Sequence, residues 1–360
     1  MDVALRALYF ALGLAVVAAV LVDLFSQVVV PRPSTRRWRI SRLFFRAAWR
    51  FWRWAALRQS PGTREDMLGG YGPLAVVMLL GIWVVILTAG FALMLWALRE
   101  QTRPELRSYW EALYFSGSSL LTIGFGDIVG TAGLARVVVL VEGGVGLGTV
   151  ALVISMLFSL YAAFQRREAL VITLDASAGA PPSGVQLLET CHKYKMPDHL
   201  DKTFEDFRLW SAEVLESHLA YPILIWFRSN HDNESWVSAL GAVMDAATLV
   251  LTTLDGEPMG QAALTAKVGG HLVEDLIQVV PGGHDHEVGI ERFEFDEACA
   301  RLQAAGYRMR PADQAWADFQ VRRAPYASPL SAIAGLLVIP PAPWMGDRSY
   351  LPHALRVAPD

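Results

Sequence analysis

Three long runs of apolar residues alternate with polar segments in the first half of the chain. They occupy residues 5–30, 73–98 and 134–164, and each is long enough for a helix that crosses a bilayer, which takes about 20 residues. In the second half, apolar positions recur at helical spacing among many charged residues. The pattern therefore predicts an all-α membrane protein with three transmembrane helices and a mostly α-helical domain over residues 165–360.

Apolar positions that recur every three or four residues predict four helices in that C-terminal domain. They cover residues 203–220, 234–254, 261–280 and 296–306. Asn233 and Asp296 are of the residue types that begin helices. Proline, glycine and serine at residues 177–184 predict the linker that introduces the domain. The apolar run at residues 333–340 is too short to cross a membrane, so we expect it to pack in the domain or against a neighbouring subunit.

Composition narrows the class of protein. With 53% apolar and 18% charged residues, the chain is too apolar for an ordinary soluble protein and too charged to lie wholly in a membrane. Cys191 and Cys299 are far apart in the second half, which predicts reduced cytosolic thiols. Because the second half is acidic, we expect no nucleic-acid partner. No catalytic constellation occurs, so we expect neither enzymatic activity nor a cofactor.

Two other motifs are better explained without a ligand. The His-Asp-His run at residues 284–286 and the pair Cys191-His192 contain metal-binding residue types, but their spacing matches no firm site and favours a solvated loop. Glycine clusters at residues 69–72 and 143–148 lie at or in the predicted membrane helices and follow no strand. We therefore expect neither cluster to bind a dinucleotide.

The charged loops predict the orientation of the chain in the membrane. Ten arginines and no acidic residue lie between residues 32 and 64, and residues 165–167 are again basic. Basic loops stay in the cytoplasm, so we expect a multi-pass protein of the plasma membrane with its N terminus outside and its C-terminal domain cytoplasmic. The first helix lacks the basic start and the cleavage site of a signal peptide and is expected to remain uncleaved.

Residues 32–72 are predicted to contain an amphipathic helix that lies on the inner membrane surface. Arginines at helical spacing occupy one face, and aromatic residues occupy the opposite face. The arginines expected to meet anionic lipid headgroups are Arg39, Arg42, Arg46, Arg50 and Arg53. A voltage sensor is the alternative, but a sensor needs helices that carry countercharges, and only Asp23 is available.

A segment between the second and third predicted helices is too polar to span the membrane and too apolar for a plain loop. Residues 109–121 have the length of a short helix, and Thr-Ile-Gly-Phe-Gly-Asp follows at residues 122–127. This segment resembles the pore helix and selectivity filter of potassium channels, whose signature is T-x-G-[YF]-G-D. Two positions depart from the common pattern, because Leu121 stands where many members have threonine and Phe125 where tyrosine is commoner.

The resemblance implies a potassium filter to which four chains each contribute one extended strand. Rings of backbone carbonyl oxygens replace the water around the ion. The implied carbonyl donors are Thr122, Ile123, Gly124 and Phe125, and the Thr122 hydroxyl closes the innermost ring. Gly124 and Gly126 supply backbone angles that a side chain disfavours. Ile123 and Phe125 are expected to pack outward against the pore helix.

Other residues are expected to support the filter. The family comparison implies that Asp127, at the outer mouth, is held by a group of the pore helix. Tyr114 is the candidate partner, and simple packing of Tyr114 is the alternative. Glu142 is an ionisable residue inside the third helix, level with the inner half of the filter, where it accepts hydrogen bonds or faces the cavity and attracts cations. Its expected donors are Ser118, Ser119 and Thr122.

The third helix is unusually rich in glycine for a spanning segment. Gly146 and Gly148 best match a bending point that opens the pore, because glycine weakens a helix by about 1 kcal/mol relative to alanine. Close packing of helices through small residues is the alternative explanation.

These features predict a potassium-selective channel that conducts passively as a homotetramer, because one pore loop supplies only a quarter of each carbonyl ring. The predicted parts are a first transmembrane helix at residues 1–31, a cytoplasmic segment at 32–72, a pore domain at 73–164 and a cytoplasmic domain at 165–360. A poorly selective cation channel is one alternative, because the filter lacks two hydroxyl groups common in the family. A membrane receptor with a silent pore is the other.

Overall fold

The structure is almost entirely helical. A computed structural model describes residues 3–28, 40–229, 235–279 and 290–339. Within these ranges one small sheet occurs, in which β1 (Thr102–Arg103) pairs antiparallel with β2 (Val129–Gly130). The predicted all-α membrane fold is therefore confirmed.

Three helices in the described ranges are long and apolar enough to cross a membrane. They are α1 (Val3–Val28), α3 (Pro61–Ala97) and α5 (Gly133–Ala178). A shorter helix, α2 (Ile40–Ala56), precedes α3, and α4 (Tyr109–Leu120) lies between α3 and α5 in the sequence.

Two of the spanning helices are longer than their apolar runs predicted. Helix α3 begins at Pro61 rather than at residue 73, and α5 continues to Ala178 rather than ending at residue 164. The polar residues at these ends are compatible with a helix because helical backbone groups bond within the segment whether lipid or water surrounds them. Hydropathy therefore located the spans but not the ends of the helices.

The chain forms two compact units, one of Met1–Ala55 with Gly70–Tyr161 and one of Ala56–Gly69 with Ala162–Asp360. In the first unit, α1 packs against α3 where two glycines meet. A Cβ atom on Gly13 would lie 2.5 Å from the carbonyl oxygen of Gly90, and a Cβ atom on Gly90 would lie 2.9 Å from Val17. Small residues thus permit a close approach of the two backbones, as is usual between membrane helices.

Helix α2 is held in the first unit by hydrogen bonds from both neighbouring helices. The buried Asp23 carboxylate of α1 accepts hydrogen bonds from the Ser41 hydroxyl at 3.1 Å and from the indole N–H of Trp83 at 3.0 Å. The Tyr71 hydroxyl of α3 donates to the carbonyl oxygen of Phe45 at 2.7 Å. Among the described residues, Asp23 therefore bonds to a serine and a tryptophan.

The outward surface of α2 carries two kinds of side chain. Its exposed residues include Arg50 and Arg53 on one side and Leu43, Phe51 and Trp54 on the other. The sequence placed Phe45 and Phe51 on one apolar face, but Phe45 is buried and Phe51 is 67% exposed. Among the predicted lipid-binding arginines, Arg39 and the side chain of Arg42 lie outside the described residues, and Arg46 is half-buried.

The described part of the second unit contains six further α-helices and one 3-10 helix. The α-helices are α6 (Gly184–Lys193), α7 (Pro197–Ala220), α8 (Trp236–Thr252), α9 (Gly260–Val279), α10 (Arg292–Ala305) and α11 (Ala312–Leu337), and the 3-10 helix covers Pro222–Trp226. Four of the α-helices correspond to predicted ones.

Sequence analysis missed α6 and α11 and placed one helix start wrongly. Helix α6 lies directly after the predicted linker, and α11 contains Pro325 and Pro329, which normally argue against a helix interior. Asp296 does not begin a helix, because it lies inside α10, whose N-cap is Glu291. Asn233 lies outside the described residues. Ile333, in the predicted apolar run, is buried in α11.

Helix α8 is buried along its whole length. It carries one charged residue, Asp245, whose carboxylate accepts hydrogen bonds from the Arg323 guanidinium at 3.0 Å and from the Tyr326 hydroxyl at 2.6 Å. The Tyr326 hydroxyl also lies 2.9 Å from that of Thr248. A buried carboxylate is tolerated only where such partners compensate for its lost hydration.

The residues that follow the 3-10 helix bind the ends of both α3 and α5 within the second unit. The Arg167 guanidinium of α5 donates to the carbonyl oxygen of Phe227 at 2.7 Å. The next residue, Arg228, pairs with Glu65 in the second turn of α3 at 2.6 Å. Burial and the charge of Arg167 lower the pKa of His218 to about 3. His218 is therefore neutral at physiological pH and adds no charge to this cluster.

We predict that Arg323→Met destabilises the C-terminal domain by about 3–5 kcal/mol, because it leaves the Asp245 carboxylate buried without its cation. The measurement is a urea titration of the detergent-solubilised full chain followed by tryptophan fluorescence. Arg322→Met is the matched control, because Arg322 is the exposed neighbour on the same helix. Equal midpoints for the two variants would show that the buried ion pair does not contribute to stability.

Candidate functional site

Helix α4 is capped at its N-terminus by the residues that precede it. The Ser108 hydroxyl accepts the N–H of Glu111 at 3.3 Å, and the Glu111 carboxylate accepts the N–H of Arg107 at 2.7 Å. The negative charge of Glu111 also lies at the positive end of the helix, where it is favourable. The helix ends at Leu120, one residue before the predicted end.

The segment that follows α4 is attached to the helix by its own N–H groups. The N–H groups of Ile123 and Gly124 both donate to the carbonyl oxygen of Ser118, at 2.9 and 3.3 Å, and the N–H of Phe125 lies 3.5 Å from the Ser118 hydroxyl. Ser118, which the sequence proposed as a support of the filter, therefore contacts this segment through both its carbonyl oxygen and its hydroxyl. In the hydrogen bonds between described residues, the carbonyl oxygens of residues 122–125 accept none, so they remain available as cation ligands.

The backbone of this segment adopts left-handed angles at alternate residues. The φ angles are +54° at Thr122, +64° at Gly124 and +79° at Gly126. Glycine takes such angles without strain, whereas a residue with a side chain loses about 1–2 kcal/mol. The two glycines therefore occupy positions that require them, and Thr122 adopts a left-handed angle that its residue type did not indicate.

The same segment is exposed in a single chain. Residues 121–127 are all exposed, with Ile123 at 53% and Phe125 at 64%. The Phe125 ring stacks against Tyr114 of α4 with 6.1 Å between ring centroids, whereas Ile123 is left half uncovered. Irregular backbone so exposed at membrane depth does not face lipid, which indicates a surface that other protein or a water-filled cavity covers.

The structure brings together the tyrosine and the aspartate that the sequence paired. The Tyr114 hydroxyl donates to the Asp127 carboxylate at 3.0 Å, and the second carboxylate oxygen of Asp127 accepts the N–H of Ile128 at 3.1 Å. The contact joins α4 to the end of the segment that follows it, so it holds both ends of the segment against the same helix.

Glu142 reaches α4 at a different residue from those expected. Its carboxyl group is fully buried and contacts the hydroxyl of Ser116, not Ser118, Ser119 or Thr122. The Ser119 hydroxyl donates instead within its own helix, to Phe115. Sequence analysis missed Ser116, although a signal was present. Ala112, Ser116 and Leu120 lie four residues apart and are all buried.

The two glycines proposed as a bending point differ in their surroundings. A Cβ atom on Gly146 would collide with the backbone carbonyl oxygen of Leu120 at the end of α4, whereas a Cβ atom on Gly148 would meet nothing within 4 Å. Gly146 therefore permits α5 to pack closely on α4, which is the alternative that the sequence left open.

The structure adds no support for a metal or thiol site. Among the residues it describes, no three His, Cys, Asp or Glu side chains form a metal-binding group. The candidate run at residues 284–286 lies outside those residues. Burial raises the pKa of Cys191 and of Cys299 to about 11, so both are protonated thiols near neutral pH.

Two membrane-crossing helices, with a short capped helix and a segment of free carbonyl oxygens between them, form the arrangement of an ion-channel pore. Comparison with known proteins agrees. Residues 74–163 match the family model described as "Ion channel", which supports an ion channel and a transporter-type protein rather than an enzyme.

One relative extends the comparison beyond this domain. The chain is 25% identical over 202 residues to the "Uncharacterized membrane protein YdjJ" of Bacillus subtilis (strain 168). The match covers 55% of this chain and 58% of that protein, so the chain spans less than two thirds of the relative's length. No solved structure matches the chain. Together the comparisons and the spanning helices support a membrane protein with an ion-channel domain.

We predict that Gly146→Ala loosens the pore domain, because the added methyl group pushes α5 away from the Leu120 carbonyl oxygen. Overpacking of this kind costs about 1–3 kcal/mol. The expected result is a lower melting temperature in detergent and a smaller yield of the intact assembly. Gly148→Ala, with open space around it, is the matched control. If Gly148→Ala has the larger effect and impairs opening instead, the hinge is favoured over packing at Gly146.

Proposed function

We propose that the chain forms a potassium-selective channel and that potassium passes down its electrochemical gradient through the filter at residues 122–127. The observation that carries the proposal is the set of backbone carbonyl oxygens at Thr122, Ile123, Gly124 and Phe125, which accept no hydrogen bond among the described residues. A dehydrated cation needs such oxygens in place of its water. The left-handed angles at Gly124 and Gly126 support the proposal, because they turn successive peptide groups of a short strand.

We further propose that the working protein is a homotetramer. One chain offers a single strand of carbonyl oxygens, which surrounds an ion on only one side, and rings of four are what the filter chemistry requires. The exposed Ile123 and Phe125 side chains support this proposal, since neighbouring chains would cover them. Asp127, with its hydrogen bond to Tyr114, then lies at the outer mouth of the filter.

The test is potassium flux in liposomes that contain the purified protein, followed by the same measurement with sodium. We expect potassium flux that exceeds sodium flux and is abolished by Gly124→Ala, because alanine disfavours the left-handed angle at this position. Gly133→Ala is the matched control, since Gly133 lies outside the filter and a Cβ atom there meets nothing within 4 Å. Equal flux of the two ions would favour a poorly selective cation channel. An intact tetramer without flux would favour a receptor with a silent pore.

We also propose that α2 lies at the inner membrane surface, with the N terminus outside the plasma membrane and the C-terminal domain in the cytoplasm. The two exposed stripes of α2 support this position. Lipid favours the apolar stripe of Leu43, Phe51 and Trp54, and anionic headgroups favour Arg50 and Arg53 beside it. Arg46 is half-buried and lies one helical turn before Arg50 on the same stripe.

Spin labels placed on α2 test this position directly. In a background without Cys191 and Cys299, we expect a label at residue 51 to collide mainly with oxygen, which concentrates in lipid. A label at residue 53 should instead collide with a water-soluble nickel complex. The two positions are matched, because both side chains are exposed and residues two apart lie about 200° apart around a helix. Equal aqueous exposure at both positions would exclude an interfacial helix.

A further inference from the structure

Three helices of the pore domain meet at the hydroxyl group of Ser116. The hydroxyl lies 2.8 Å from the carbonyl oxygen of Thr88 on α3, and it also contacts the Glu142 carboxyl group of α5. Ser116 is fully buried in α4, and Glu142 is fully buried in α5. The second oxygen of the Glu142 carboxyl group is buried and has no hydrogen-bond partner among the described residues.

The number of protons at this junction decides which group donates the hydrogen bond between Glu142 and Ser116. A serine hydroxyl has one proton to donate, and here it faces two oxygens, the Thr88 carbonyl and the Glu142 carboxyl group. The carbonyl oxygen accepts only. If Ser116 donates to Thr88, its contact with Glu142 is favourable only when the carboxyl group carries a proton and donates to the serine oxygen. The hydrogen bonds then run in one direction, from Glu142 to Ser116 to Thr88.

The surroundings of Glu142 also favour a protonated carboxyl group. None of the ion pairs between described residues includes Glu142. Helix α3 has no charged residue after Asp66, and the one charged residue of α4, Glu111, bonds to the backbone of Arg107. An ionised carboxylate without a cation is far costlier to bury than a neutral carboxyl group.

We propose that Glu142 is a neutral carboxylic acid and that Ser116 is a positioning residue that uses its proton to attach α4 to both spanning helices of the pore domain. The filter segment is hydrogen-bonded to the carbonyl oxygen of Ser118, two residues after Ser116. The position of Ser116 therefore sets the position of the filter. This consequence for conduction rests on the proposed function, whereas the proton on Glu142 does not.

Infrared difference spectroscopy at neutral pH tests the proton directly. Subtraction of the Glu142→Gln spectrum from that of the unaltered protein should leave the C=O stretch of a protonated carboxylic acid. Glu111→Gln is the matched control and should leave carboxylate bands, since the Glu111 carboxylate accepts the N–H of Arg107 at the exposed helix end. Carboxylate bands in the Glu142 difference would overturn the proposal, and would indicate that a neighbouring subunit supplies a cation.

A separate measurement tests the role of Ser116. Ser116→Ala should move the Glu142 C=O stretch to higher frequency, because the acid loses its acceptor, and should lower the ratio of potassium to sodium flux about fivefold. Ser116→Thr should restore both, and Ser119→Ala should change neither, because that hydroxyl bonds only within α4. An unchanged band and ratio in Ser116→Ala would overturn the positioning role. If the unaltered protein conducts no potassium, the proposed function fails, while the infrared bands still decide the state of Glu142.

Discussion

The pore domain depends on two hydrogen bonds that end on one carbonyl oxygen, that of Ser118 at the end of α4. They hold the N–H groups of Ile123 and Gly124, and so they turn the segment at residues 122–127 away from helical geometry. The carbonyl oxygens of residues 122–125 then accept no hydrogen bond from the described part of the chain. Irregular backbone is tolerated at membrane depth only where protein replaces the missing water. The segment therefore requires a rigid α4, and α4 is anchored at both ends, by Tyr109 to the Ala89 carbonyl oxygen and by the close approach of Gly146 to Leu120.

The second unit is organised by buried charges that are paired. Asp245 and Arg323 lie in the core formed around α8, where each compensates for the lost hydration of the other. Two arginines make contacts near the end of α5. Arg167 of α5 donates to the Phe227 carbonyl oxygen, and Arg228 pairs with Glu65 of α3. The short segment that contains Phe227 and Arg228 thus connects the N-terminal part of α3 with the C-terminal part of α5.

Much of the fold was predictable because the signals are local. Runs of apolar residues located α1, α3 and α5, since every span must satisfy its backbone internally and cover it with apolar side chains. Periodic apolar positions located α7 to α10. Helix α11 escaped prediction because it contains Pro325 and Pro329, which normally argue against a helix interior. Asp296 was wrongly taken as a helix start because α10 begins at a capping box of Glu291 and Glu294, and glutamate is not among the preferred N-cap residues.

The sequence alone located the candidate filter segment through its resemblance to potassium-channel filters, because that signature lies in consecutive residues and needs no tertiary information. It also indicated Tyr114 as a candidate partner of Asp127, and the two groups lie 3.0 Å apart in the structure. Only the tertiary structure decided that Glu142 meets Ser116 and that Gly146 meets Leu120, because these contacts depend on how α4 and α5 are rotated about their axes. A rotation of one residue, about 100°, exchanges one neighbour for another without any change in composition or hydropathy.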